Sequence, residues 1–216
     1  MKTFFRLTFF TLALLLSLTL FSCAIDTSIQ LDKNGGADIS LYFSCGQTVE
    51  STLRSLFSLE SETKIFDEAD VKKSCENSGF TVKSLSFTGS ASMKLVIHTD
   101  DLVSSFASVP GAVSLNKNTF ILNLNKDILS AIMTILPPEA GDYLDLLMAP
   151  AFSDEESTAG EYLDLISAVY GNSLTNEMKN AKINITLSSP SFKKQLFALP
   201  LVDVLCAKAQ RITFSW

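Results

Sequence analysis

The sequence predicts an α+β fold: an antiparallel sheet built from hairpins, with helices packed on one face and a helical insertion. Three observations predict it. Short segments alternate apolar and polar residues, so each makes a strand with one greasy side. Turn residues join successive segments at hairpin distance. Stretches with helical spacing and acidic starts interrupt the strands.

The first hairpin is the clearest. Ile25, Ile29 and Leu31 alternate with Asp26, Ser28 and Gln30, and Ile39, Leu41 and Phe43 alternate with Asp38, Ser40 and Tyr42. Between them Asp32-Lys33-Asn34-Gly35-Gly36 holds an Asn-Gly pair that tolerates the positive φ of a tight turn. Val49, Leu53, Leu56 and Phe57 then recur at helical spacing behind Thr48, read as an N-cap, and Asp67, Glu68 and Asp70 open a more polar helix that ends near Gly79.

Phe80 to Phe87, the turn Thr88-Gly89-Ser90, and Met93, Leu95 and Ile97 alternating with Lys94 and His98 predict a second hairpin. Asp100 or Asp101 caps a short helix with Leu102, Val103 and Phe106, stopped by Pro110-Gly111. Val113 and Leu115, the turn Asn116-Lys117-Asn118, and Phe120, Leu122 and Leu124 predict a third hairpin. Ile183, Ile185 and Leu187 predict one later strand, and Ile212, Phe214 and Trp216 another. Pro200 stands between them in the first turn of a short helix carrying Leu201, Val204 and Leu205. Strands with one apolar and one polar face belong to a sheet covered on one side.

The insertion spans about 127–178. It contains two similar segments 19 residues apart, Gly141 to Ala149 and Gly160 to Ala168, each with a Tyr-Leu-Asp-Leu core, which predict two helices of like face chemistry. Thr158 with Glu161 fits a capping box, as does Ser153 with Glu156. Ten acidic residues and no Lys, Arg or His lie between Asp127 and Glu177. Most fall where a helix dipole favours negative charge; a divalent cation near Asp154, Glu155 and Glu156 is the competing reading. Ile128, Leu129, Ile132, Met133, Ile135 and Leu136 form a wide apolar stripe ahead of Pro137-Pro138, read as core or as a face open to a lipid or apolar partner.

The amino terminus carries an address. Lys2 and Arg6 precede an uncharged run from Leu7 to Phe21, 15 residues long. That is a signal-peptide length, shorter than the roughly 20 residues that cross a bilayer. Residues 1–22 are therefore predicted to be removed, leaving one domain over 23–216. Its 194 residues carry 15 basic against 23 acidic side chains, a balance of −8 that argues against nucleic acid and against recruitment by a basic patch.

The run ends on Leu20-Phe21-Ser22-Cys23, which resembles the bacterial lipobox in the relaxed form of spirochaete-type lipoproteins. The resemblance implies cleavage between Ser22 and Cys23, and attachment of a diacylglyceryl group to the Cys23 sulfur with later acylation of the new amino terminus. Two or three acyl chains anchor firmly where one anchors marginally. Ala24, rather than Asp, follows the Cys, which by the same resemblance favours the outer over the inner membrane. The opening hairpin, about 25 residues with a Gly-containing turn, is similar to the start of the LppM-type envelope lipoproteins. The Tyr-Leu-Asp-Leu helices and the closing Leu199 to Leu205 are similar to spirochaete-type lipoproteins. These likenesses imply class and location and carry no functional residues.

Cys45, Cys75 and Cys206 remain, either as buried thiols or as one disulfide and one free thiol. No pair has CxxC spacing, and His98, the lone histidine, has no neighbouring Cys, so no metal site is predicted; its place on the polar side of a strand favours an exposed residue over a general base. Nucleophile elbow, P-loop, HExxH and dinucleotide patterns are missing from the sequence, so no catalytic residue and no cofactor is expected. The expectation is a membrane-anchored envelope protein with a non-catalytic interaction or structural role, its partner an envelope protein. The alternatives are a carrier or sensor of an apolar or lipid ligand held between the sheet and residues 127–170, and an envelope enzyme with an unrecognised site.

Overall fold

The computed structural model describes residues 24–44, 46–56, 58–60, 63, 65–134, 157–206 and 208–216. It is an α+β fold with two sheets. Strands β1 (Ala24–Leu31), β2 (Ala37–Ser44), β3 (Thr81–Phe87), β4 (Ser92–Thr99), β7 (Lys182–Ser188) and β8 (Lys194–Pro200) form a six-stranded sheet in the order β3-β4-β2-β1-β7-β8. Strands β5 (Val113–Asn116), β6 (Thr119–Leu124) and β9 (Gln210–Ser215) form a three-stranded sheet in the order β5-β6-β9. The helices are α1 (Gln47–Leu56), α2 (Glu68–Asn77), α3 (Leu102–Ser105), α4 (Lys126–Thr134), α5 (Ala159–Tyr170), α6 (Asn172–Asn180) and α7 (Leu201–Leu205).

All three expected hairpins are present, in antiparallel register at β1–β2, β3–β4 and β5–β6. The β1–β2 connection is built around Asp32, whose Oδ1 accepts from the backbone N–H of Asn34 at 2.7 Å and of Gly36 at 2.9 Å. Gly35 takes φ +98°, and Gly36 is packed so tightly that a Cβ would lie 2.5 Å from the Thr99 carbonyl oxygen. The two glycines therefore serve different needs, one a left-handed backbone and the other a close approach.

Three features differ from the sequence reading. The pairing of β1 with β7 is parallel, which makes the six-stranded sheet mixed; two strands separated by most of the chain pair with no turn to dictate direction. The third hairpin joins β9 in a sheet of its own, Phe120 opposite Phe214 and Leu122 opposite Ile212. Strand β8 was not expected, because Leu196, Phe197, Ala198 and Leu199 are apolar on both faces and show no alternation. It is an edge strand, and Leu196 on its outer side is 63% exposed. Two helix starts also move: α1 begins at Gln47, with the Gly46 carbonyl accepting from the Glu50 N–H, so Thr48 lies inside the first turn, and Pro200 is the N-cap of α7 and the last residue of β8. An edge tolerates a residue without an N–H.

On the inner face of the six-stranded sheet Ile25, Leu31, Ile39, Leu41, Phe43, Leu95, Ile97, Ile183, Ile185 and Leu187 are buried. Of the polar positions between them Lys94 is exposed, while Ser40 and Asn184 are half-buried. The core that forms on this face also takes in Phe120 and Phe214 of the second sheet, Tyr162 and Ile166 of α5, Leu174 and Met178 of α6, and Leu201 to Leu205 of α7. Helix α6 packs on α1, α5 and α7. The expected capping box opens α5: Thr158 Oγ1 accepts from the Glu161 N–H at 3.2 Å and Glu161 Oε2 accepts from the Thr158 N–H at 2.8 Å, which holds the Glu161 carboxyl below its ordinary range.

Candidate functional site

The processing residues Ser22 and Cys23 lie outside the described residues. So do Cys45, the first Tyr-Leu-Asp-Leu segment, Ser153, Asp154, Glu155, Glu156 and Pro137-Pro138. The side chains of Ile132 and Met133 are likewise outside them. Strand β1 begins at Ala24, the residue that follows Cys23.

Among the described residues the densest set of titratable side chains surrounds His98. Alternation places His98 of β4 and Asp38 of β2 on the outer face of the sheet, and the register sets them directly opposite each other. His98 Nδ1 lies 2.8 Å from Asp38 Oδ1 and Nε2 lies 3.2 Å from Asp100 Oδ1. A register shift between Val82 and Ser84 frees Lys83 from the ladder, and its Nζ donates to the same Asp38 oxygen at 2.5 Å. This is the way a β-bulge re-aims a side chain. The sequence places His98 on the correct face but does not reveal its partners. Asp38 and Lys83 come from strands whose pairing with β4 is set by the whole sheet.

The electrostatics follow from the contacts. The hydrogen bond from Lys83, then that from His98, holds the Asp38 carboxyl below its ordinary range. Hydrogen bonds to Asp38 and then to Asp100 raise the His98 pKa above the usual imidazole value, against opposition from the Lys83 charge. With a carboxylate on each ring nitrogen, imidazolium is the form that satisfies both contacts, and neither nitrogen presents a lone pair to a substrate. The set is surface-exposed: the side-chain exposure of His98 is 29% and that of Asp38 49%. Such a group binds a proton; it lacks the dry surroundings in which acid–base chemistry gains strength.

Cys75 and Cys206 are free and buried, so they do not pair with each other. Burial pushes the Cys75 thiol up to about 12 and raises that of Cys206, which makes both poor nucleophiles at neutral pH. Among the described residues no group of three or more His, Cys, Asp or Glu side chains is arranged to hold a metal ion, and no helix is long and apolar enough to cross a membrane.

One polar atom stands out in the core. Thr27, on the inner face of β1 between Leu41 and Ile185, is buried, and its Oγ1 has no hydrogen-bond partner. A buried unpaired hydroxyl costs about 1–3 kcal/mol. No sequence signal distinguishes this threonine from an ordinary strand residue, because Thr is a good strand former. Comparison of the chain with protein-family models, with curated proteins and with solved structures finds no match.

Proposed function

We propose that this chain is a lipid-anchored protein of the bacterial cell envelope with a non-catalytic interaction or structural role. The observation that carries the reading is the lipobox-like Leu20-Phe21-Ser22-Cys23 behind a basic and then apolar leader, ending one residue before β1. An anchor on Cys23 would join the first strand with no linker, so one end of the sheet would stand at the membrane. Ala24 after the Cys favours the outer membrane. The test is metabolic labelling with a fatty acid in the native host. The wild type is expected to take up label and fractionate with membrane, whereas Cys23→Ala loses the label and is either released or left unprocessed. Equal labelling of the variant overturns the proposal.

A second reading, a carrier of an apolar ligand between sheet and helices, draws on the unpartnered Thr27 hydroxyl, which would suit the polar atom of a lipid. Native mass spectrometry of protein purified from its host, with and without Thr27→Val, tests it. A co-purifying lipid lost in the variant supports the carrier. A ligand-free protein, made more stable by the variant, removes it.

A further inference from the structure

The end of the molecule farthest from Ala24 gathers three hairpin tips. Strands β1 and β7 run parallel with Gln30 opposite Ser188, so the β1–β2 turn and the β7–β8 turn emerge side by side. Lys193, in the β7–β8 turn, donates from Nζ to the Ser215 carbonyl and lies 5.8 Å above the Phe214 ring. The Trp216 N–H donates to the Asn118 carbonyl in the β5–β6 turn at 3.0 Å, and Gly35 of the β1–β2 turn lies against Leu115 of β5. The three tips thus form one continuous surface.

The β7–β8 tip holds a residue in a costly position. The Phe192 N–H donates to the Ser189 carbonyl at 3.0 Å, closing a turn with Pro190 at its second position, and the Ser189 N–H donates to the Lys193 carbonyl at 2.9 Å. A turn of this kind ends on a left-handed residue, normally Gly. Here that residue is Phe192, with φ +64° and 87% of its surface exposed. A bulky side chain at positive φ is strained, and an exposed phenyl ring gains nothing from burial. Around it Lys33, Lys117, Lys193 and Lys194 are all exposed, in a chain whose formal charge is −6. Asp32 keeps its charge within its own turn, and Asp38, Asp100 and Asp101 lie respectively on β2, after β4 and before α3, on the opposite side of β1 from β7 and β8.

We propose that this tip surface is a docking site for a protein that offers an apolar pocket rimmed by carboxylates, with Phe192 as the inserted anchor and the lysines as its charged surround. Strained, solvent-exposed positions persist where function holds them, an aromatic side chain filling a pocket is a common interface anchor, and charge around it steers an oppositely charged partner. The choice of a protein over the anchoring bilayer rests on the proposed lipidation of Cys23. An eight-residue strand spans about 26 Å, which would hold the tips that far from the membrane surface.

The experiment places a photo-cross-linking phenylalanine analogue at position 192 in the full-length chain, expressed in its own host, with the same analogue at the exposed Val169 of α5 as control. A discrete protein adduct at 192 and none at 169 is expected. Combined Lys33→Glu and Lys194→Glu should lower its yield at least about tenfold, roughly the loss of 1.4 kcal/mol of binding, and added salt should act in the same direction. Phe192→Gly should abolish competition with the cross-linked complex while melting at the same or a higher temperature, which separates lost docking from lost folding. No adduct, or one indifferent to the lysines, overturns the proposal. So does sedimentation of the unlipidated domain with phosphatidylglycerol vesicles in place of an adduct, which would make the occupant a bilayer. Fatty-acid labelling of the same cells keeps the two proposals apart: label without an adduct sinks the docking site alone, and an adduct without label sinks the anchor alone.

Discussion

The two ends of the six-stranded sheet share the same kinds of connection but differ in strain and exposure. Where β1 begins, three junctions with helices stand beside one hairpin turn: β2 leads to α1, α6 leads into β7, β8 leads to α7, and β3 turns back into β4. Polar groups there pair with one another, as Asp38, His98 and Lys83 do at the other end. Arg54 of α1 donates from Nη1 to the carbonyls of Glu60 and Thr63 and pairs with Glu50, which also accepts from Ser90 Oγ at 2.6 Å; Ser44 and Ser92 share a hydroxyl contact across the strands. At the other end hairpin tips project beside the junctions of α2 with β3 and β4 with α3, and two of the three non-glycine residues with positive φ among those described, Lys117 and Phe192, sit on the tips. One end closes the fold, and the other carries strain, positive charge and an exposed ring. A core residue anywhere along the strands supports both ends, so the proposed docking surface draws its rigidity from the same core.

The largest expected effect is on that shared core. Leu95 is fully buried in β4, opposite Leu41 and Leu85, and Leu95→Ala should cost about 2–5 kcal/mol in denaturant unfolding. Both ends should be lost in one transition. Separate transitions for the helix-linked end and the hairpin end would break the comparison into two units. Next comes Gly36→Ala, whose added methyl would meet the Thr99 carbonyl and the Asp32 carboxylate at 2.5 Å. A destabilisation of about 1–3 kcal/mol is expected, with the faster amide exchange confined at first to the β1–β2 turn and the connection from β4 to α3. Uniformly faster exchange would show that the ends are not independent at this scale.

The smallest effect is a titration. NMR of His98, the single histidine, should report a pKa above 6.5, returning toward the ordinary value in Asp38→Asn, because the Asp38 hydrogen bond is the main cause of the rise. The sign follows from linkage: a raised folded pKa gives stabilisation that is complete below about 6.5 and is lost as pH climbs through the folded value. The lowered Asp38 carboxyl acts oppositely, its contribution present above about 3.8 and lost as pH falls through its folded pKa. A His98 pKa at or below 6.5 would mean that the Asp38 and Asp100 contacts do not persist in solution.

The legible parts of the fold are the local ones. The β1–β2 hairpin follows from a period of two and an Asp-Lys-Asn-Gly-Gly turn, and the starts of α2 and α5 follow from Asp67 and from Thr158 with Glu161, since each signal lies within a few residues of what it controls. Pairings between distant segments, β1 with β7 and β6 with β9, leave no such mark, because they are chosen by the collective burial of several strands. Strand β8 escapes notice for a related reason: an edge strand need not alternate cleanly when only part of one face is covered. The site residues divide the same way. The face of His98 is readable from Lys94 and Leu95 beside it, whereas Asp38 and Lys83 enter only through pairing and a bulge. Phe192 is invisible in sequence because the left-handed turn position that Gly or Asn would announce is filled by an aromatic residue.

The proposed anchor on Cys23 is the central claim, and the mature amino terminus tests it most directly. Intact-mass and fragment-ion analysis of the protein isolated from host membranes is expected to show a chain that starts at Cys23, with a diacylglyceryl group on its sulfur and an acyl chain on its amino group. A chain beginning elsewhere, or one that starts at Cys23 with a bare thiol, would contradict the account.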